Sequence, residues 1–251
     1  MDETYERWKR KRGLRLIYGD YFNTIQDHCV EGEILEVGGG FGAFKKHCKH
    51  AVSSDVVRME SLDVVCDAHH LPFTPASFSN IVSIDLLHHL ERPIRFLRQA
   101  ADVLEIGGRL VVLEPAITPV GRLLYAFHEE HVDMTINPLE DGPLSVDRDP
   151  FESNQAIGTL IANSFQDELS EKAPELNLIY RGWKGLVAYP LSGGFRRWSL
   201  LPYWTIHPLL KFEEFCLPWL GQLMACRLII VFERVNPRLM QETKTSSELF
   251  A

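Results

Sequence analysis

The sequence predicts an α/β protein built on a doubly wound, mostly parallel sheet, and three observations predict it. Short apolar strands (EILEV at 33–37, AVSSDVV at 51–57, SNIVSID at 79–85 and GRLVVLEP at 108–115) alternate with helix-like stretches. The alternation is the signature of right-handed βαβ units. These short runs read as buried strands of a parallel sheet. The first strand also runs straight into a cluster of glycines, Gly38-Gly39-Gly40-Phe41-Gly42. Glycine there lets the chain turn sharply and lets backbone N–H groups approach a ligand.

The elements follow in order. Residues 5–28 read as helical and carry Arg7, Lys9, Arg10, Lys11, Arg12 and Arg15. Such a cluster is either a solvated helix face or a contact for an anionic group such as phosphate. AFKKHCKH at 43–50 continues from the glycines as a helix. PIRFLRQAADVLEIGG at 93–108 is an amphipathic helix closed by glycines. After Pro115 the regularity fades. GRLLYAFHEEHV is helix-like, a Pro/Asp/Gly-rich stretch follows, and a further helix is expected near 155–171. Strands are expected at 177–189 and 225–235, separated by an aromatic, proline-containing segment around FRRWSLLPYW. The final strand has only a polar tail behind it, so it is expected to run antiparallel beside the strand at 177–189.

Composition narrows the function classes. In 251 residues, 34 acidic groups outweigh 26 basic ones for a net charge of −8, which argues against broad electrostatic binding of nucleic acid. Cys29, Cys48, Cys66, Cys216 and Cys226 are odd in number, scattered and without a CxxC pair. They read as reduced thiols and point to a cytoplasmic protein. No apolar run is long enough to span a bilayer, so no membrane span is expected.

The glycine loop by itself is open to more than one reading. Gly38-x-Gly40-x-x-Ala43 satisfies the dinucleotide fingerprint, and Asp55 stands near the acidic position expected on the second strand. A tight turn without a ligand is a third reading. An oxidoreductase, however, would need a second nucleotide-binding half and a Tyr-x-x-x-Lys constellation, and neither is visible.

With the motifs that follow, the chain resembles the class I S-adenosylmethionine-dependent methyltransferases, in particular those sharing the type 11 domain. The matching residues are EVGGGFG at 36–42, Asp55, DAHHLPF at 67–73, DLLHHL at 85–90 and GGRLVVLEP at 107–115. The resemblance implies a Rossmann-like seven-stranded sheet, mostly parallel with an antiparallel last strand, plus a lid insertion. The implied organisation is a helical segment at 1–32, a methyltransferase domain at 33–237 with lid elements near 116–171 and 190–220, and a polar tail at 238–251.

The resemblance also implies S-adenosyl-L-methionine as cofactor and assigns its contacts. Glu36, Gly38 and Gly40 would hold the methionine portion, and Asp55 the ribose hydroxyls. Asp67 would accept from the adenine amino group, Ala68 would offer its backbone N–H to the ring, and Asp85 would line the methyl-donor pocket. Two departures from the commoner pattern are Glu36 in place of aspartate and Asn80 before the fourth strand.

The implied activity is methylation of a small-molecule acceptor, oxygen favoured over carbon or nitrogen. No proline-flanked tetrad of the DNA and amide-nitrogen methyltransferases follows Asp85. A non-catalytic, cofactor-binding subunit is the alternative from another class. An oxygen acceptor needs a proton removed, which draws attention to the histidines. His128 and His131 would share a face at i, i+3 if helical, near Glu129 and Asp133. That set reads as a His–carboxylate base, a divalent metal site or a polar lid helix, with His128 the first choice as base and no metal assigned. His88 and His89, after the fourth strand, compete for the role. Trp198, Tyr203 and Trp204, with Phe195, Arg196 and Arg197, read as lid packing or as a substrate platform.

Overall fold

The computed structural model describes residues 2–125, 131–143 and 153–237. Seven strands form one sheet: β1 (Ile34–Val37), β2 (Val52–Asp55), β3 (Val64–Val65), β4 (Phe78–Ile84), β5 (Leu104–Pro115), β6 (Leu176–Lys184) and β7 (Arg227–Arg234). Their order is β3-β2-β1-β4-β5-β7-β6. β1 to β5 pair in parallel, while β7 runs antiparallel between β5 and β6. The doubly wound sheet with an antiparallel last strand is therefore as the sequence predicts.

Two apolar clusters cover the two faces. Leu35, Ile81, Leu110, Val112 and Ile230 belong to one, and Ile34, Val82, Val111, Leu113 and Ile229 to the other. Neighbouring residues along a strand alternate between faces, so β4, β5 and β7 each feed both clusters. The first face is packed by α4 (Pro93–Val103) and α6 (Ile157–Asn163), the second by α2 (Arg12–His28). Pro93 opens α4 at its first turn, where a missing N–H leaves no bond unmade.

Several elements differ from the sequence reading. The first helical segment is two helices, α1 (Asp2–Arg10) and α2, broken at Lys11. α4 stops at Val103, and Leu104–Gly108 joins β5, with Gly107 turned to positive φ. The expected strand at 177–189 ends at Lys184, and the chain then turns through Gly185 into α8 (Ala188–Ser192). The aromatic segment after it holds a 22-residue helix, α9 (Tyr203–Met224), with Pro208 and Pro218 inside. Two internal prolines, and apolar residues on both the buried and the exposed face, hide the helical period there. Within the expected lid region, α5 (Pro119–Tyr125), α6 and α7 (Gln166–Lys172) are helical, and Ile157–Ala162 is buried in the core.

Candidate active site at the carboxyl edge of the sheet

The glycine loop, Asp55, Asp67, Asp85 and Glu114 all follow or end the carboxyl ends of parallel strands, the edge where open α/β sheets bind ligands. β1 hands directly into the loop. The Gly38 and Gly39 N–H groups both donate to the Ser54 carbonyl at 2.9 Å, which ties the loop to β2. The Gly40 N–H donates to Asp55 Oδ2 at 2.9 Å, so loop and β2 carboxylate form one unit. A Cβ at Gly39 would lie 2.2 Å from Ser53 Oγ, whereas at Gly40 (φ +50°) it would meet only open space. The loop is thus closed beneath and open above.

Glu36 is what closes it. The Ser53 hydroxyl donates to Glu36 Oε2 at 2.5 Å, and the same oxygen lies 3.0 Å from where a Gly39 Cβ would stand. Burial pushes the Glu36 carboxyl up to about 7, against the lowering effect of the Ser53 bond. The resemblance assigned Glu36 to the methionine portion of the cofactor; in the structure one of its carboxyl oxygens accepts from Ser53.

Asp67 accepts from the His69 N–H at 2.8 Å and from His69 Nδ1 at 2.7 Å. Partial burial acts to raise its pKa, but the His69 bonds outweigh it and hold the carboxyl below the usual range. His69 Nε2 is buried without a partner, and Ala68 beside it is buried in the core. The residues present fit S-adenosylmethionine. They offer an open backbone at Gly40, a carboxylate ending β2, and a second carboxylate past β3 beside an unsatisfied ring nitrogen.

Asp85 takes a positive φ of +53° as the chain leaves β4. Its carboxylate pairs with Arg227, and the Tyr18 hydroxyl donates to it at 3.3 Å. Arg227 opens β7, buried, with its guanidinium 4.8 Å from the Tyr189 ring centre. Burial acts to lower its pKa, but Asp85 and the tyrosines around it raise it well above its ordinary value. Arg227, Tyr18 and Tyr189 are site residues that sequence reasoning missed. The antiparallel placement of β7, the seating of α2 and the position of α8 bring Arg227, Tyr18 and Tyr189 together beside Asp85.

His88 and Glu114 form a second buried pair. His88 Nδ1 lies 2.6 Å from Glu114 Oε2, while Glu114 Oε1 accepts the Leu86 and Leu87 N–H groups at 2.9 and 2.8 Å. His89 stays exposed on the same 3-10 turn, its ring centre 4.2 Å from that of His88. His131 is exposed and bridges to Asn154 through backbone. The Asp133 carboxylate is engaged by the Thr135 N–H and hydroxyl. Among the described residues no group of three or more His, Cys, Asp and Glu could hold a metal ion. His128 lies outside the described residues.

The basic N-terminal cluster divides: Lys9, Arg10 and Arg12 are exposed, whereas Arg7, Lys11 and Arg15 turn onto backbone carbonyls. Lys11 donates to the carbonyls of Ser192, Gly194, Arg196 and Trp198 at 2.6, 2.7, 3.1 and 2.9 Å. Arg7 reaches the Phe195 carbonyl at 3.1 Å, and Arg15 the Trp8 carbonyl at 2.7 Å. Trp8 and Phe195 pack on Phe41 of the glycine loop. The N-terminal helices and the 192–198 loop are thereby clasped together over the loop.

Residues 35–112 match the model of the methyltransferase domain. The chain carries a methyltransferase domain over these residues. The fold agrees over almost the whole chain. A SAM-dependent methyltransferase of Thermotoga maritima superposes with a TM-score of 0.57 at 17% identity, covering 92% of this chain and 94% of that one. One from Archaeoglobus fulgidus gives 0.53 at 13% identity, covering 88% and 94%. A mouse protein named probable tRNA methyltransferase 9B is 32% identical over 101 residues, 35% of this chain and 23% of its own. An uncharacterised protein of Methanocaldococcus jannaschii is 24% identical over 118 residues, 44% and 57% respectively. The chain thus spans less than two thirds of the length of these curated relatives.

Proposed function

We propose that the chain is an enzyme that transfers the methyl group of S-adenosylmethionine to a small-molecule acceptor, oxygen being the favoured atom. The observation that carries this reading is the Gly38–Gly40 loop at the end of β1, with the Asp55 carboxylate on the Gly40 N–H. In this reading Asp55 also accepts from the ribose hydroxyls, Asp67 from the adenine amino group, and Ala68 offers its backbone N–H. Gly38 and Gly40 hold the methionine end on a loop set from beneath by Glu36. Asp85, fixed by Arg227 and Tyr18, lines the methyl-donor end.

When bound, the cofactor supplies an electrophilic methyl group on a good leaving group. The chain's own residues then have to align the acceptor, exclude water and remove a proton. The clasp of α1 over the loop serves exclusion. The proton falls to His128 first, with His131 beside it and His89 as the next candidate.

The net charge of −8 supports a small acceptor over a long polyanion. The likeness to the mouse protein named for tRNA favours a second reading, in which the acceptor is tRNA. Incubation with labelled S-adenosylmethionine, metabolite pools and total tRNA separates them, with products identified by mass spectrometry. Label in a low-mass product supports the first reading and label in tRNA the second. Absence of label in both overturns the enzyme reading.

A further inference from the structure

Helix α9 buries Ile206, Leu210, Glu213 and Gly221 against the domain. On the opposite side it exposes Trp204 (77%), Phe212 (62%), Phe215 (66%) and Trp219 (68%), with Leu223 half exposed. At 3.6 residues per turn these five fall within roughly a third of the helix circumference. A soluble monomer rarely leaves such a stripe open without a use for it. The loop that leads into the helix also exposes Leu200 and Trp198.

The charge beside it is opposite to that of the chain. Arg196, Arg197 and Lys211 are exposed, and Arg12 stacks 4.5 Å over Tyr203 at the start of the helix. The acids of α9 are engaged: Glu213 accepts the Leu186, Val187 and Ala188 N–H groups, and Glu214 pairs with Lys184 at 2.8 Å. In a protein of net charge −8, an apolar, tryptophan-bearing face here meets exposed cations.

We propose that the α9 face, flanked by Arg12, Arg196, Arg197 and Lys211, docks on an anionic lipid surface. Tryptophan and phenylalanine enter the headgroup boundary, and cations beside them meet lipid phosphates. No described helix is long and apolar enough to cross a membrane, so the docking is peripheral. A second copy is the poorer occupant. Isologous pairing of this face would set Lys211, close to the helix midpoint, near its own counterpart. The proposal stands independently of the methyltransferase reading, because its test needs no activity.

The test is sedimentation of the whole chain with phosphatidylcholine vesicles, with and without phosphatidylglycerol. The expected result is co-sedimentation that requires phosphatidylglycerol and weakens with salt. Each cation near such a surface contributes roughly fivefold in affinity, so R196Q/R197Q together should weaken binding by at least about tenfold. W204E/F215E/W219E should abolish it, with circular dichroism and the melting temperature unchanged because these side chains are exposed. Failure of the unmodified chain to bind, or equal binding by both variants, overturns the proposal. So does light scattering that shows a dimer which W204E/F215E/W219E splits into monomers, since the occupant is then a second copy.

Discussion

His88 Nδ1 lies 2.6 Å from Glu114 Oε2, which joins the turn after β4 to the end of β5. The other Glu114 oxygen accepts two backbone N–H groups of that turn, so removing the imidazole leaves a buried carboxylate short of one partner. His88→Ala should therefore lower stability by about 1–3 kcal/mol, measured by urea unfolding. His128→Ala, by contrast, should leave cofactor affinity nearly unchanged and reduce turnover ~10²–10⁴-fold if His128 is the base. A turnover loss confined to His88→Ala would move the base to the β4 turn.

Asp85 and Arg227 should prove unequal when each is removed. Arg227 is buried, whereas Asp85 keeps some exposure and can rehydrate. Asp85→Asn strands a buried guanidinium and should destabilise by about 3–5 kcal/mol, more than Arg227→Met. The double variant should recover part of the loss in a double-mutant cycle. Equal, additive effects would mean that the pair is not coupled.

Asp55→Ala should weaken S-adenosylhomocysteine binding by about 1–3 kcal/mol in calorimetry, because the ribose hydroxyls lose an acceptor. NAD should bind much more weakly than either adenosyl ligand to the unmodified chain. Comparable NAD binding would favour the dinucleotide reading of the same loop.

Glu36 makes stability depend on pH with a definite sign. Its carboxyl sits near 7 when folded, above the ordinary value of 4.5. The folded state therefore holds the proton where the unfolded chain has lost it, and this contribution falls as pH rises from about 4.5 to 7. Glu36→Gln, neutral throughout, should gain stability relative to the unmodified chain by up to about 3 kcal/mol across that window. Parallel stability–pH curves for the two proteins would show that burial does not raise this carboxyl.

The sequence by itself determined the parallel half of the sheet, the glycine loop and the acidic residues that follow β2, β3 and β4. Local signals carry these features: apolar strand runs, glycine at the strand end, and motif spacing. The antiparallel last strand expected from the sequence is the one the sheet shows, with β7 antiparallel to both neighbours. Only the tertiary structure decided what the buried charges face. Arg227 meets Asp85 across 142 residues. Lys11 meets the carbonyls of 192–198 through the seating of the N-terminal helices on that loop. Glu36, placed with the ligand by motif alone, turns beneath the loop because Ser53 on β2 offers a hydroxyl there. Helix α9 was hidden in sequence by its prolines and by apolar residues on both its buried and its exposed faces, and packing on one face alone makes its outward stripe visible. Partner choice at long range rests on which elements pack together, and neither periodicity nor spacing encodes that.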